Sequence, residues 1–170
     1  MPRLNLTAQQ NVQAFNMQTR QRLGAFKLPN GQAVSFWRFV ADDTIAIVTG
    51  TSVLHWKVNE NQPRKMFDRH DSLRGTQIIS YQVSGDKKWL LVVGIKKGAS
   101  GIEGKMQLYS VEKSVSQRLN GHAGVFAEVK LPGRSTNSQV FCFAEKKAES
   151  TPKVSCFTHL RHYQHSLSLR

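Results

Sequence analysis

The chain has 170 residues, of which 39% are apolar and 21% charged, which is typical of a globular domain. Two cysteines are too few for a disulfide framework and the first residues lack the apolar core of a secretion signal, so we expect Cys142 and Cys156 to be reduced cytosolic thiols. No apolar run approaches the roughly 20 residues needed to span a bilayer, which argues against a membrane-spanning helix.

The formal net charge of +13 is the strongest signal in the composition. A surface of this sign attracts nucleic acid, anionic lipid headgroups or acidic peptides. The 24 lysines and arginines are spread along the chain in short pairs, whereas a nucleic-acid module more often carries a basic helix or stripe. We therefore interpret the charge as solvated or peptide-facing, and keep a basic fragment that binds anionic lipid or nucleic acid as the alternative.

Short segments rich in aromatic and β-branched residues follow one another along the chain, separated by Gly, Pro, Asn and Asp turns. The predicted strands are Asn11–Met17, Val34–Val40, Thr44–Thr49, Ser52–Val58, Gln77–Val83, Trp89–Gly94, Lys105–Val111, Val125–Leu131, Gln139–Ala144 and Lys153–Thr158. No window carries a sustained helical apolar stripe. The sequence predicts an all-β fold.

Four segments at the corresponding place in each repeat unit share a pattern of an apolar residue followed three positions later by an aromatic one. The four segments are Val12–Phe15, Val53–Trp56, Met106–Tyr109 and Val154–Phe157, at offsets of 41, 53 and 48 residues. Four strands per period of about 40–50 residues is typical of a propeller blade, although a β-sandwich could show the same aromatic spacing. We predict a partial β-propeller of about three four-stranded blades. Since a propeller has at least about four blades, this chain is not expected to close a ring alone.

Several longer strings resemble the clathrin heavy chain family. They occur in the family's order between Asn11 and about Thr158: Lys65–His70, Gln77–Tyr81, Lys88–Leu91, Met106–Val111, Val115–Gln117 with Gly121–Ala123, and Phe141–Ala144. The resemblance implies a seven-bladed parent propeller. We expect no cofactor, and no metal either, because the spacing of Cys156, His159, His162 and His165 matches no standard zinc pattern.

The resemblance also implies a non-catalytic function, the docking of short linear motifs from endocytic adaptor and accessory proteins in clathrin-mediated vesicle transport. It places the protein in the cytoplasm at coated pits and coated vesicles, in contact with membrane only through adaptors and without direct nucleic-acid binding. The parent trimerises through a helical leg that this chain lacks. We expect residues 1–158 to form an incomplete propeller with impaired docking, and the divergent residues 159–170 to be a disordered tail.

A first peptide-binding groove is implied at Gln13, Phe15, Met17, Arg20 and Arg22. The family usually has lysines at the two arginine positions and isoleucine at Met17. Arginine keeps the positive charge that would pair with an acidic peptide residue and adds bidentate capacity. The alternative is that Phe15 is blade core and the arginines are solvated.

A second groove is implied at Trp89, Leu108, Lys113, Val115 and Gln117, where Lys113 replaces the usual arginine. Apolar pockets would come from the first two residues, and polar contacts from the lysine and the glutamine. Trp89 could equally be a core residue.

A central site is implied at Gln77, Ile79 and Ile95, of which the two isoleucines are also good core residues. We expect no enzyme activity, because the sequence contains no recognisable nucleophile–base–orienter set. Asp68 and His70 belong to the Lys65–His70 string, which we interpret as structure between blades.

Overall fold

A computed structural model of the chain describes residues 2–6, 11–29, 31–130, 133, 135–146, 153–157 and 167–168, with the backbone alone for 2–6, 153, 157 and 167–168. The chain divides into two units, residues 1–69 and 70–170, and each is described by itself. Within the described ranges no helix is long and apolar enough to cross a membrane.

The described residues form strands and one short 3₁₀ helix, Asp71–Leu73. The strands are β1 Pro2–Leu6, β2 Asn11–Asn16, β3 Arg22–Lys27, β4 Val34–Ala41, β5 Thr44–Thr49, β6 Ser52–Lys57, β7 Arg64–Asp68, β8 Gln77–Val83, β9 Trp89–Gly98, β10 Gly101–Ser110, β11 Val115–Asn120, β12 Ala123–Val129, β13 Ser138–Glu145, β14 Lys153–Phe157 and β15 Leu167–Ser168. They pair into four antiparallel sheets, in the orders β1-β2-β3, β4-β5-β6-β7, β8-β9-β10-β11 and β12-β13-β14-β15. The predicted all-β, partial-propeller fold class is confirmed.

The first unit holds the sheets β1–β3 and β4–β7 together by one apolar core. Alternate residues of β2, Val12 and Ala14, point into it because side chains along a strand alternate between faces. Phe26 of β3 packs against Trp56 of β6 with ring centroids 4.8 Å apart. Trp56 is fully buried and its indole N–H donates to the carbonyl of Glu60 at 2.8 Å, so its polar atom is satisfied.

The second unit holds the sheets β8–β11 and β12–β15. Its core joins Leu91 and Val93 of β9 and Met106 of β10 to Phe141 of β13. Phe141 stands 5.4 Å from Phe126 of β12, measured between ring centroids. The core therefore lies between the two sheets. A groove between them would lie at the edge of this core.

All ten predicted strands are present with ends shifted by four residues or fewer. The five strands that the sequence did not predict, β1, β3, β7, β11 and β15, each lie at a sheet edge. Edge strands need less apolar character than central ones, which weakens their signal in the sequence. The interpretation of Lys65–His70 as structure between blades was wrong for its first part, since Arg64–Asp68 is β7 itself.

The expectation of two reduced cysteines is also corrected. Cys142 of β13 and Cys156 of β14 are direct partners across the sheet, with Cα atoms 4.0 Å apart, and they form a disulfide. The antiparallel register brings the two side chains together on one face, which the sequence spacing alone did not indicate. Leu167 and Ser168 of the expected tail pair with Cys156 and Ser155 as β15; residues 158–166 and 169–170 lie outside the described residues.

Candidate functional site

The residues of the second groove lie together on one sheet of the second unit. Trp89 begins β9, Leu108 lies on β10, and Val115 and Gln117 lie on β11. Leu108 is the direct partner of Gln117, while Ser110 is the direct partner of both Trp89 and Val115. Directly opposite residues share a face, so these side chains belong to the same face of the sheet. That face carries the core shared with β12–β15.

Exposure divides these residues into a floor and contact positions. Leu108 is fully buried, so it supports the groove from below. Val115 is 55% exposed, which leaves an apolar side chain open beside the half-buried Trp89. Lys113 is exposed in the turn between β10 and β11, where its backbone N–H donates to Ser110 Oγ at 3.3 Å.

An ion pair stabilises the strand ends beside this groove. Lys88, which precedes Trp89, places its Nζ 2.6 Å from the carboxylate of Glu112. The hydrogen bond to Glu112 raises the pKa of Lys88 above its ordinary value. Lys88 is thereby engaged within its own sheet, and Lys113 remains as the positive charge at the groove.

Residues of β12 and β13 pack on this face of the sheet, and the sequence did not predict them as part of a site. Phe126 is the direct partner of Phe141, and Glu128 of Gln139, so all four lie on the face that carries the shared core. Gln139 Nε2 donates to Glu128 Oε1 at 2.6 Å. The sequence shows that side chains alternate between the two faces of each strand. It does not show which residues of β12 and β13 lie opposite each other, because that depends on the register between the strands.

The first-groove residues lie in the first unit, on β2, β3 and the turn between them. Gln13 and Phe15 alternate with the buried Val12 and Ala14, so they point away from the core shared with β4–β7. Arg22 is the direct partner of Phe15, next to a bulge between Ala14 and Phe15. The structure therefore places one basic and one aromatic residue side by side.

Met17 and Arg20 occupy the turn between β2 and β3. Met17 is 48% exposed, and Arg20 adopts a left-handed backbone with φ 58°. Asn16 Oδ1 accepts from the backbone N–H of Gln18 at 2.9 Å, which shapes the turn. All five predicted first-groove residues are thus neighbours in one hairpin.

The central-site residues are also neighbours. Gln77 of β8 is the direct partner of Ile95 of β9. Ile79 lies beside a register shift in β8 and is 39% exposed. Within the described ranges no group of three or more His, Cys, Asp or Glu side chains is arranged to hold a metal ion.

Comparison with known proteins points to one family. The clathrin propeller repeat model matches residues 73–112, which include β8, β9 and β10. The chain is 43% identical over 144 residues to the clathrin heavy chain of Drosophila melanogaster, 44% over 140 residues to clathrin heavy chain 2 of Homo sapiens and 38% over 145 residues to clathrin heavy chain 1 of Arabidopsis thaliana. These alignments cover 82–84% of this chain and 8% of each relative, so the chain spans under a tenth of the length of the curated relatives it matches.

Proposed function

Because this chain belongs to the clathrin heavy chain family as a segment of its propeller, we propose that its grooves dock short linear peptides from endocytic adaptor and accessory proteins. The family is a structural scaffold and not an enzyme family, and the proposed docking is non-catalytic. In this proposal the segment serves vesicle transport at the cytosolic face of coated pits and vesicles, and reaches membrane through adaptors.

The observation that carries the proposal is the placement of Trp89, Val115 and Lys113 near one another at the edge of the core shared with β12 and β13. Trp89 and Val115 offer partly open apolar surface on one wall, with Lys113 at the rim and Phe126 on the facing sheet. An extended peptide presents alternate side chains to one side, so apolar anchors can enter such a groove while polar groups remain at its edge. Anchors enclosed on two sides lose more contact with water, and we propose β12 and β13 as the second wall of this groove.

The first groove is proposed for peptides that carry an acidic residue. Phe15 and the adjacent Arg22 combine an apolar surface with a guanidinium, and Arg20 adds a second positive charge in the turn. A carboxylate accepts bidentate hydrogen bonds from arginine, which gives both affinity and orientation. The central site at Gln77, Ile79 and Ile95 is proposed as a third peptide-binding surface.

The test is a titration of the ¹⁵N-labelled chain with a peptide of alternating large apolar residues, followed through the Trp89 indole signal. Replacing Val115 by serine removes exposed apolar surface, and at about 25 cal/mol per Å² this should weaken binding roughly fivefold. Ile102→Ser is the matched control, because Ile102 is an apolar side chain, 63% exposed, on β10 of the same sheet. Equal weakening by both substitutions would remove the groove assignment.

The first groove is tested with an acidic peptide and the double variant Arg20→Glu/Arg22→Glu. Charge reversal should weaken the binding of the acidic peptide and leave the affinity for the second-groove peptide unchanged. The alternative, binding to anionic lipid or nucleic acid, is favoured by the net charge of +13. Retention on anionic liposomes or RNA that persists near physiological salt, without any peptide binding, would favour that alternative.

A further inference from the structure

The wall of the second groove on β12 and β13 carries an acidic residue beside a buried amide. The carboxylate of Glu128 accepts from Gln139 Nε2 at 2.6 Å, and Glu128 itself is exposed. The amide oxygen of Gln139 is buried, and no hydrogen-bond donor reaches it from the described residues. The carboxylate of Glu128 and the amide oxygen of Gln139 are therefore two neighbouring acceptors, and Gln139 Nε2 is the donor that the carboxylate uses.

Glu128 differs from Glu103 and Glu112 of the same unit in its charge partners. Glu112 is paired with Lys88 at 2.6 Å, and Glu103 lies between Lys96 at 3.8 Å and Lys105 at 3.5 Å. In the part of the chain that the structure describes, Glu128 has no cation within ion-pair distance. In a chain of net charge +13, Glu128 is therefore a local negative charge that is hydrogen-bonded by Gln139 and is not paired with a cation of the described residues.

The position of Glu128 relates it to the groove. A Cβ atom added to Gly85 would lie 3.1 Å from Glu128 Oε1 and 3.3 Å from Gln139 Nε2, so both side chains meet the turn between β8 and β9. That turn closes on Trp89, whose backbone N–H donates to Ser84 Oγ at 2.9 Å. Glu128 thus borders the end of the groove at which Trp89 lies.

We propose that Glu128 makes the second groove select peptides in which an arginine or lysine accompanies the apolar anchor, an inference that rests on the proposed docking function. A cationic side chain supplies what this wall lacks, a positive charge for the exposed Glu128 carboxylate. Arginine suits it best, because its planar guanidinium presents donors in a fork that matches a carboxylate. Lys113 on the other wall would meet an acidic residue elsewhere in the same peptide.

The experiment compares two peptides of identical apolar sequence, one with arginine and the other with its neutral isostere citrulline at the position beside the anchor. Wild-type chain should bind the arginine peptide more tightly, by up to about fivefold, the upper end of the range for a solvent-exposed charge pair. Glu128→Gln should abolish this preference, so that the two peptides bind with equal affinity. Glu103→Gln, the same change of charge on β10, should leave the preference intact.

The outcomes separate this inference from the proposed function. Binding of both peptides with a preference that survives Glu128→Gln would overturn the role of Glu128 and leave groove docking standing. No preference for arginine in the wild type would do the same. Absence of binding by either peptide would overturn both the groove and its selectivity.

Discussion

The side-chain oxygen of Gln107 accepts a hydrogen bond from the backbone N–H of His70 at 2.8 Å, which joins β10 to the residue that caps the 3₁₀ helix. Gln107 is 1% exposed, and its Nε2 donates to Ser116 Oγ of β11 at 2.8 Å. One buried amide therefore satisfies groups on two elements of the second unit.

Replacement of Gln107 by leucine should lower the free energy of unfolding by about 1–3 kcal/mol, since the His70 N–H would lose its partner. Urea unfolding followed by circular dichroism measures this change. Gln18→Leu, in the exposed turn between β2 and β3, is the control and should stay within about 0.5 kcal/mol of wild type. A Gln107 variant as stable as the control would show that the bond contributes nothing.

Gly24→Ala should destabilise the first unit. The new Cβ would overlap the carbonyl oxygen of Val58 and lie 3.1 Å from the ring of Trp56, so backbone would have to move. Overpacking of this kind typically costs about 1–3 kcal/mol. The matched control is Gly50→Ala, where the added Cβ meets nothing within 4 Å. Thermal unfolding of the two variants measures the difference, and equal melting temperatures would contradict the close approach of β3 to Val58.

The stability of the chain should fall on mild acidification because of His55. Burial, and secondarily the charge of Arg64, lower the pKa of His55 to about 4 from an ordinary value of 6.5. The folded chain thus keeps this histidine neutral, whereas the unfolded chain protonates it near 6.5. The contribution of the neutral His55 to the free energy of unfolding is complete above pH 6.5 and is lost as the pH falls from 6.5 to 4. The pKa difference corresponds to about 3 kcal/mol.

Histidine NMR signals followed against pH, together with urea unfolding at pH 7.5 and 5, test this directly. Arg64→Gln removes the secondary cause and should raise the pKa of His55 in part. A ring signal of His55 that titrates near 6.5 in the folded chain would refute the prediction.

Reduction of the Cys142–Cys156 disulfide should destabilise the second unit. The bond closes a loop between residues 14 positions apart, and loops of this size correspond to about 3 kcal/mol of unfolding free energy. Dithiothreitol should therefore lower the melting temperature of the wild type and leave the Cys142→Ala/Cys156→Ala variant unchanged. Alkylation followed by mass spectrometry provides the chemical check: two thiols reactive without reductant would show that the bond is absent.

The sequence predicted the interior strands well because their apolar content is high. The alternation in Val12–Phe15 and the run in Thr44–Thr49 carry their own signal, and both segments are strands with the expected buried residues. The edge strand Arg64–Asp68 carries no comparable apolar signal, since only Phe67 of its five residues is buried.

The groove residues depended on the family resemblance, and the structure adds what resemblance could not give. It distinguishes the fully buried Leu108 from the exposed Val115, two residues that the sequence treated alike. It also identifies Glu128 on the facing wall, which depends on the register between β12 and β13. Registers and disulfide partners are relationships between segments, so a single sequence read in order does not contain them.

In each of the four sheets a strand pairs only with its immediate neighbours along the chain. Such pairing keeps sequence separations short, so each hairpin can form before distant parts of the chain arrive, and hairpins form in about 1–10 μs. Ribosomes add only about 5–20 residues per second, far slower than this. The sheet β4–β7 is therefore expected to assemble during synthesis while β8 is still untranslated, and the apolar face of β8–β11 would stay exposed to water until β12 and β13 emerge.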